Sequence, residues 1–158
     1  MSGLASDLVS SDLIWEITRG QNAYLVKQRT GGGSQLSRDP LNVINKHSRK
    51  YDGYVNDKAV GIQPGKNGGV ELTTTKRKHP SRPAANKNQV SWGSNKSSRN
   101  VYKGIVNHTA KNGYRPDIRA ESVARASAII QSQRPKKETP EKKPRGAKAR
   151  KLAESKST

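Results

Sequence analysis

Three histidines and twelve carboxylates, with no cysteine, are all that this chain offers to acid–base, nucleophilic or metal chemistry. His47, His79 and His108 stand far apart in polar surroundings. None has a carboxylate at a spacing that would orient its ring or complete a ligand set, so they read as solvated side chains or phosphate contacts. Without thiols there is no disulfide framework, no thiolate metal site and no cysteine nucleophile. No HExxH, GxSxG or paired-acid pattern occurs. Gly65-Lys66-Asn67 sits among glycines in the manner of a phosphate cradle, but the spacing of a nucleotide-binding loop and the hydroxyl residue after the lysine are missing. A hairpin turn accounts for those glycines better. The chain is expected not to be an enzyme and to take no cofactor, metal or small-molecule substrate.

The chemistry present in quantity is cationic. Thirty-one Lys and Arg against 12 Asp and Glu leave a net charge of +19, a self-repulsion that a polyanion would cancel. The cations gather in four places. Lys76, Arg77, Lys78, Arg82 and Lys87 lie in a stretch rich in Pro and Asn; Arg99, Lys103 and Lys111 fall on one helical segment; Arg115, Arg119 and Arg125 fall on the next; Arg134, Lys136 and Lys137 open a basic tail. These, with Trp92 as a ring for stacking on a base, are the candidate RNA-binding residues. Arg prevails in the helical part, where planar guanidinium groups clamp phosphates, and Lys in the tail, where contact is diffuse. Sequence-reading motifs are missing. A zinc finger needs Cys, the heptads of a basic zipper are absent, and a chain without Phe lacks the RNP-like signature. Recognition of shape and phosphate is what remains. Trp15, Tyr24 and Tyr102 stand at periodic apolar positions and read as packing residues, whereas Tyr51 and Tyr54 fit packing or stacking equally.

The elements that must position these cations are few. Leu, Ile and Val supply 26 of 158 residues and Phe none, below the roughly 20% at which highly charged chains usually sustain a full-length core. One small domain over residues 1–133 and a disordered basic Lys/Pro-rich tail over 134–158 are expected. Ser10, Ser11 and Asp12 can cap a short helix carrying Leu13, Ile14 and Ile17. Residues 23–28 read as a strand, and 34–58 stay mixed. Residues 59–63 and 69–75 flank PGKNG as an antiparallel hairpin. Residues 76–89 read as an extended basic loop. A helix through Val101, Tyr102, Ile105 and Val106, capped by Asn95 or Ser98, ends at Gly113, and a second begins at Pro116 with Asp117 near its positive end. On that second helix Ile118, Val123, Ala126, Ile129 and Ile130 share an arc of roughly 140°, with Glu121, Arg125, Gln131 and Ser132 outside it and Arg119 forced to snorkel. The fold class is α+β: a small antiparallel sheet with a β-hairpin, packed against two to three helices. No stretch approaches the ~18 apolar residues of a membrane span, and the opening MSGLASDLVSSDLIWE has no basic region before an apolar run. A soluble, non-secreted protein with no membrane partner is expected, and the sequons at Asn95 and Asn107 read as chance.

Leu13-Ile-Trp15, Asn22-Ala-Tyr24-Leu-Val-Lys27, Tyr51-Asp-Gly-Tyr54, Val60-Gly-Ile62, Tyr114-Arg-Pro-Asp-Ile-Arg119, Ala124-Arg-Ala-Ser-Ala-Ile129 and Ser132-Gln133-x-Pro135 together resemble the eukaryote-specific large-subunit ribosomal protein twenty-eight family. The likeness runs from about Asp12 to Pro135, and Tyr114-Arg-Pro-Asp is its most specific part. It departs from the family at the triplet Gly31 to Gly33, at Gln28 where a basic residue is more usual, and in the tail. The resemblance implies a structural constituent of the 60S subunit of the cytosolic ribosome that supports translation and is assembled in the nucleolus. Its implied partners are large-subunit rRNA and neighbouring ribosomal proteins. A nucleolar assembly factor that binds pre-rRNA transiently is the alternative.

Overall fold

A computed structural model describes residues 9–30, 32–76, 82, 84–139, 145–147, 149 and 155. Helix α1, Ser11–Thr18, starts as its composition suggests: Ser10 is the N-cap, and its hydroxyl accepts from Leu13 N at 3.2 Å. Strands β1, Leu25–Lys27, and β2, Gln35–Ser37, pair antiparallel around the left-handed Gly32 and Gly33. Between β2 and the next strand the chain forms almost no regular structure. Polar side chains stand in for it. Asp39 accepts from Leu41 N and, 14 residues on, from Gly53 N at 2.9 and 2.8 Å; Asn42 caps Ile44, Asn45 and Lys46; Asn56 donates to the carbonyls of Arg49 and Asp52.

That folding corrects the reading of His47 as solvated. Its side chain is 4% exposed and lies against the Trp15 ring, with centroids 4.9 Å apart. Nε2 donates to Arg19 O at 2.9 Å, and Nδ1 sits 3.6 Å from a carboxylate oxygen of Asp52. Burial holds the Asp52 carboxyl above its ordinary value, opposed by His47. The carboxylate is only five residues along the chain, and the Asp39 and Asn56 contacts bring it back to the ring. His108 remains exposed, and His79 lies outside the described residues.

The second sheet is the expected hairpin with a third strand added. Strand β3, Val60–Pro64, pairs with β4, Val70–Thr75, from Val60↔Thr74 to Pro64↔Val70, and residues 65–69 form the turn. Val60, Ile62, Val70 and Leu72 alternate onto the buried face. Gly69 has φ +83°, and a side chain there would run into Trp92 O, so this position admits glycine only. Strand β5, Lys87–Trp92, pairs with β4 along its whole length. This shortens the expected loop: residues 87–89 belong to the sheet. An edge strand of composition KNQVSW looks like loop because only Val90 and Trp92 turn inward, and its stability comes from the ladder to β4 rather than from apolar burial.

Helix α2, Ser98–Val106, buries Val101 and Ile105 and is capped by Ser97, which makes no side-chain bond, rather than by Asn95 or Ser98. A π-turn, Asn107–Lys111, prolongs it, with Thr109 fully buried and its hydroxyl donating to Ile105 O at 2.8 Å. Left-handed Gly113 ends the run, and Pro116–Ile118 forms a 3₁₀ turn into α3, Arg119–Gln133. The apolar stripe is narrower than expected. Ile118, Ser122, Ala126 and Ile129 are buried, while Val123 and Ile130 are half-buried. The small side chains at 122 and 126 let α3 lie close on α2 and β3. The core joins these residues to Val43, Val60, Ile62, Val70, Leu72, Val101 and Ile105, with Tyr51, Trp92, Tyr102, Tyr114 and Ile130 packed around it.

Two polar nodes close the domain. The Tyr114 hydroxyl accepts from Thr75 N at 3.1 Å and has the carbonyls of Thr75 and Ala59 at 2.8 and 3.1 Å. The Gln133 amide meets both backbone groups of Gly69, with Oε1 accepting at 2.7 Å and Nε2 donating at 2.8 Å. Replacing Gln133 by Ala leaves the part-buried Gly69 N–H without its partner, while the Gly69 carbonyl keeps Gly65 N at 3.2 Å, and is expected to cost about 1–3 kcal/mol of stability. Urea unfolding at high salt, where self-repulsion is screened, measures it. An unchanged midpoint would show that the amide contributes nothing.

Candidate nucleic-acid interface

The cations expected to meet RNA separate into three groups once placed on the fold. The first lies at the open end of β4–β5. Lys76 N donates to Asn86 O at 2.6 Å and to the Asn86 side chain at 3.0 Å, pinching the base of the connection, so Lys76, Arg82 and Lys87 emerge exposed from one end of the sheet. Arg77 and Lys78 lie outside the described residues. The second group is on α2 and its extension: Arg99 and Lys103, one helical turn apart, and Lys111 are exposed, while Val101 and Ile105 on the other side are buried. The third follows α3. Arg119 is exposed, as are Arg134, Lys136 and Lys137 beyond the helix end. Arg125 is half-buried, and its Nε has no hydrogen-bond partner among the described residues.

Two of the expected contacts are used internally. Trp92 lays its indole over Gly104, where a side-chain carbon would come within 2.7 Å of the ring, and stands edge-on to His108 at 6.1 Å. It packs against the core rather than offering a free face. Arg115 is only 16% exposed, and its guanidinium is bonded on three sides: Nε and Nη2 to the Asp117 carboxylate at 2.8 and 2.7 Å, Nη1 to Lys58 O at 2.8 Å, and Nη2 also to Lys50 O at 2.9 Å. That geometry clamps the turn before α3 onto both ends of the 50–58 segment. The pair holds the Asp117 carboxyl below, and the guanidinium above, their ordinary values, chiefly through the hydrogen bond between them.

Around this clamp lies a cleft of about 730 Å³ lined by Ser11, Ser48, Arg49, Lys50, Asn56, Asp57, Lys58, Arg115 and Asp117. Sequence reasoning missed it, because its residues are scattered over a hundred positions. Its cations are mostly engaged: Arg49 bonds Asp12, Asn56 and Ser11, and Lys50 bonds Glu121 at 3.1 Å. Among the described residues no cluster of three or more His, Asp or Glu could hold a metal ion, and no helix is long and apolar enough to cross a membrane.

Comparison with known proteins identifies the family. The model of the ribosomal L28e protein family matches residues 13–132, from α1 to the last turn of α3. The chain is 46% identical over 132 residues to the large ribosomal subunit protein eL28 of Schizosaccharomyces pombe, which covers 82% of this chain and 96% of that protein. It is 28% identical over 121 residues to the Dictyostelium discoideum protein of the same name, covering 77% and 86%, and 30% identical over 74 residues to that of Caenorhabditis elegans, covering 47% and 58%.

The Arg115–Asp117 clamp predicts a definite pH signature. A carboxyl whose folded value is depressed stabilises the fold above its unfolded value and loses that contribution as pH falls through the folded one. Asp117→Asn should therefore lower the melting temperature throughout the range above 3.8, the ordinary carboxyl value, with the deficit closing at lower pH. A deficit independent of pH would mean that the charge on Asp117 is not what holds the turn.

Proposed function

The chain belongs to the ribosomal L28e protein family, and we propose that it is a structural constituent of the large subunit of the cytosolic eukaryotic ribosome, binding rRNA through phosphate contacts and catalysing no reaction. The observation that carries this reading is the placement of the charge. Arg99 and Lys103 line the outer side of a helix whose inner side is core, Lys76, Arg82 and Lys87 crowd one end of the sheet, and the chain leaves α3 through Arg134, Lys136 and Lys137. Surfaces of this kind neutralise phosphates brought together by RNA folding and release their counterions. Exposed Lys and Arg of this kind suit recognition of shape and backbone. Neighbouring ribosomal proteins would complete the environment, and the protein would join the particle in the nucleolus.

Sedimentation separates this role from that of a transient assembly factor. The protein should travel with mature large subunits and translating ribosomes. Confinement to precursor particles would favour the assembly factor, and a wholly free pool at low salt would exclude both. The contact itself is tested by Arg99→Gln with Lys103→Gln. Both side chains are exposed, so melting should not change, whereas the slope of log affinity for large-subunit rRNA against log salt should fall by about 2 if each meets one phosphate. An unchanged slope removes α2 from the interface.

A further inference from the structure

The exposed large apolar side chains among the described residues, Val9, Leu13, Ile17, Tyr24, Leu36 and Ile44, all lie in the first 44 positions. Helix α1 is the sharpest case, because it buries none of its residues. The side that holds it to the domain is mixed: Ser11 accepts from Arg49 at 2.8 Å, the Thr18 hydroxyl accepts from Tyr54 at 2.8 Å, and the Trp15 ring lies against His47. At roughly 100° per residue these three fall within about 60° of arc. Leu13 and Ile17, one turn apart, leave on the opposite side and are 51% and 72% exposed. A surface helix ordinarily turns its apolar residues inward; this one divides them, with Ile14 and Trp15 half-buried and Leu13 and Ile17 left facing out.

Charge says what fits there. The first 26 residues carry Asp7, Asp12 and Glu16 against the single base Arg19, so the whole positive excess of the chain lies beyond them. The Asp12 and Glu16 side chains, 84% and 58% exposed, project from the helix beside the Leu13–Ile17 edge; each lends one oxygen to an arginine of this chain, Asp12 to Arg49 at 2.9 Å and Glu16 to Arg19 at 3.0 Å, and stays open to solvent. Apolar groups bordered by carboxylates give a phosphate neither counter-charge nor donors. They suit apolar side chains bordered by Lys or Arg. A second copy would set carboxylates against carboxylates.

We propose that the Leu13–Ile17 face of α1 is a protein-docking surface, and that its occupant is a basic segment of another polypeptide presenting apolar side chains flanked by Lys or Arg. This rests on the ribosomal reading only for the assembly in which the partner is sought. The test places the photoreactive residue p-benzoylphenylalanine at position 13 or 17 of the full chain, and separately at position 103, in cells where it replaces the parent. Adducts from 13 and 17 should map to one segment of a different protein with an excess of Lys and Arg. Adducts to nucleotides, to a second copy, to this chain's own residues 134–158 or to scattered peptides, or no adduct at either site, would overturn the proposal whatever position 103 does. Failure of position 103 to reach RNA counts against the phosphate-binding role of α2 instead. In parallel, Leu13→Ser with Ile17→Ser should leave the melting temperature unchanged and lower retention in large subunits about tenfold, since two side chains lose their burial only in the complex. Parental retention would refute it.

Discussion

The chain's thirty-one cationic side chains repel one another, and the fold answers by keeping its interior free of them. Among the described residues no Lys or Arg is buried; the buried ionisable groups are Asp39 and Asp52. Arg115, which passes close to the core, is met by a carboxylate and backbone carbonyls, those of Asp117 and of Lys50 and Lys58. Asp12 and Glu121 treat Arg49 and Lys50 in the same way. The scarce acids are thus largely internal fasteners, and the cations left over face outward, where a polyanion can reach them.

The division between structural and outward cations explains what the sequence did and did not disclose. The β3–β4 hairpin and the helix after Pro116 were legible because period-2 and period-3.6 patterns, turn glycines and a first-turn proline agree locally. The 34–58 segment was not, since its order comes from Asp39, Asn42 and Asn56 bonding to backbone at distances no periodicity encodes. Strand β5 was half lost because it borrows its stability from a neighbour. His47 was misread because burial depends on a loop path, and Arg115 looked like its outward neighbours because composition does not say where a guanidinium points. For Trp92, the glycine at 104 that receives its ring is a sequence signal of packing.

A polarity along the chain emerges from the same placement. Exposed apolar groups and net negative charge collect before residue 45 and residue 27 respectively, and cations dominate after. The loop of residues 38–59 ties the two regions together, His47 and Arg49 bonding to α1 and its end and the carbonyls of Lys50 and Lys58 accepting from Arg115. Such a domain is suited to sit at a boundary between nucleic acid and polypeptide.

The amide of Gln133 has a mechanical meaning. It fastens the end of α3 to the turn between β3 and β4 through both backbone groups of Gly69, two residues before the chain departs at Pro135. A pull on the departing segment would therefore meet this amide, and through it the middle strand of the sheet, before the last turn of the helix.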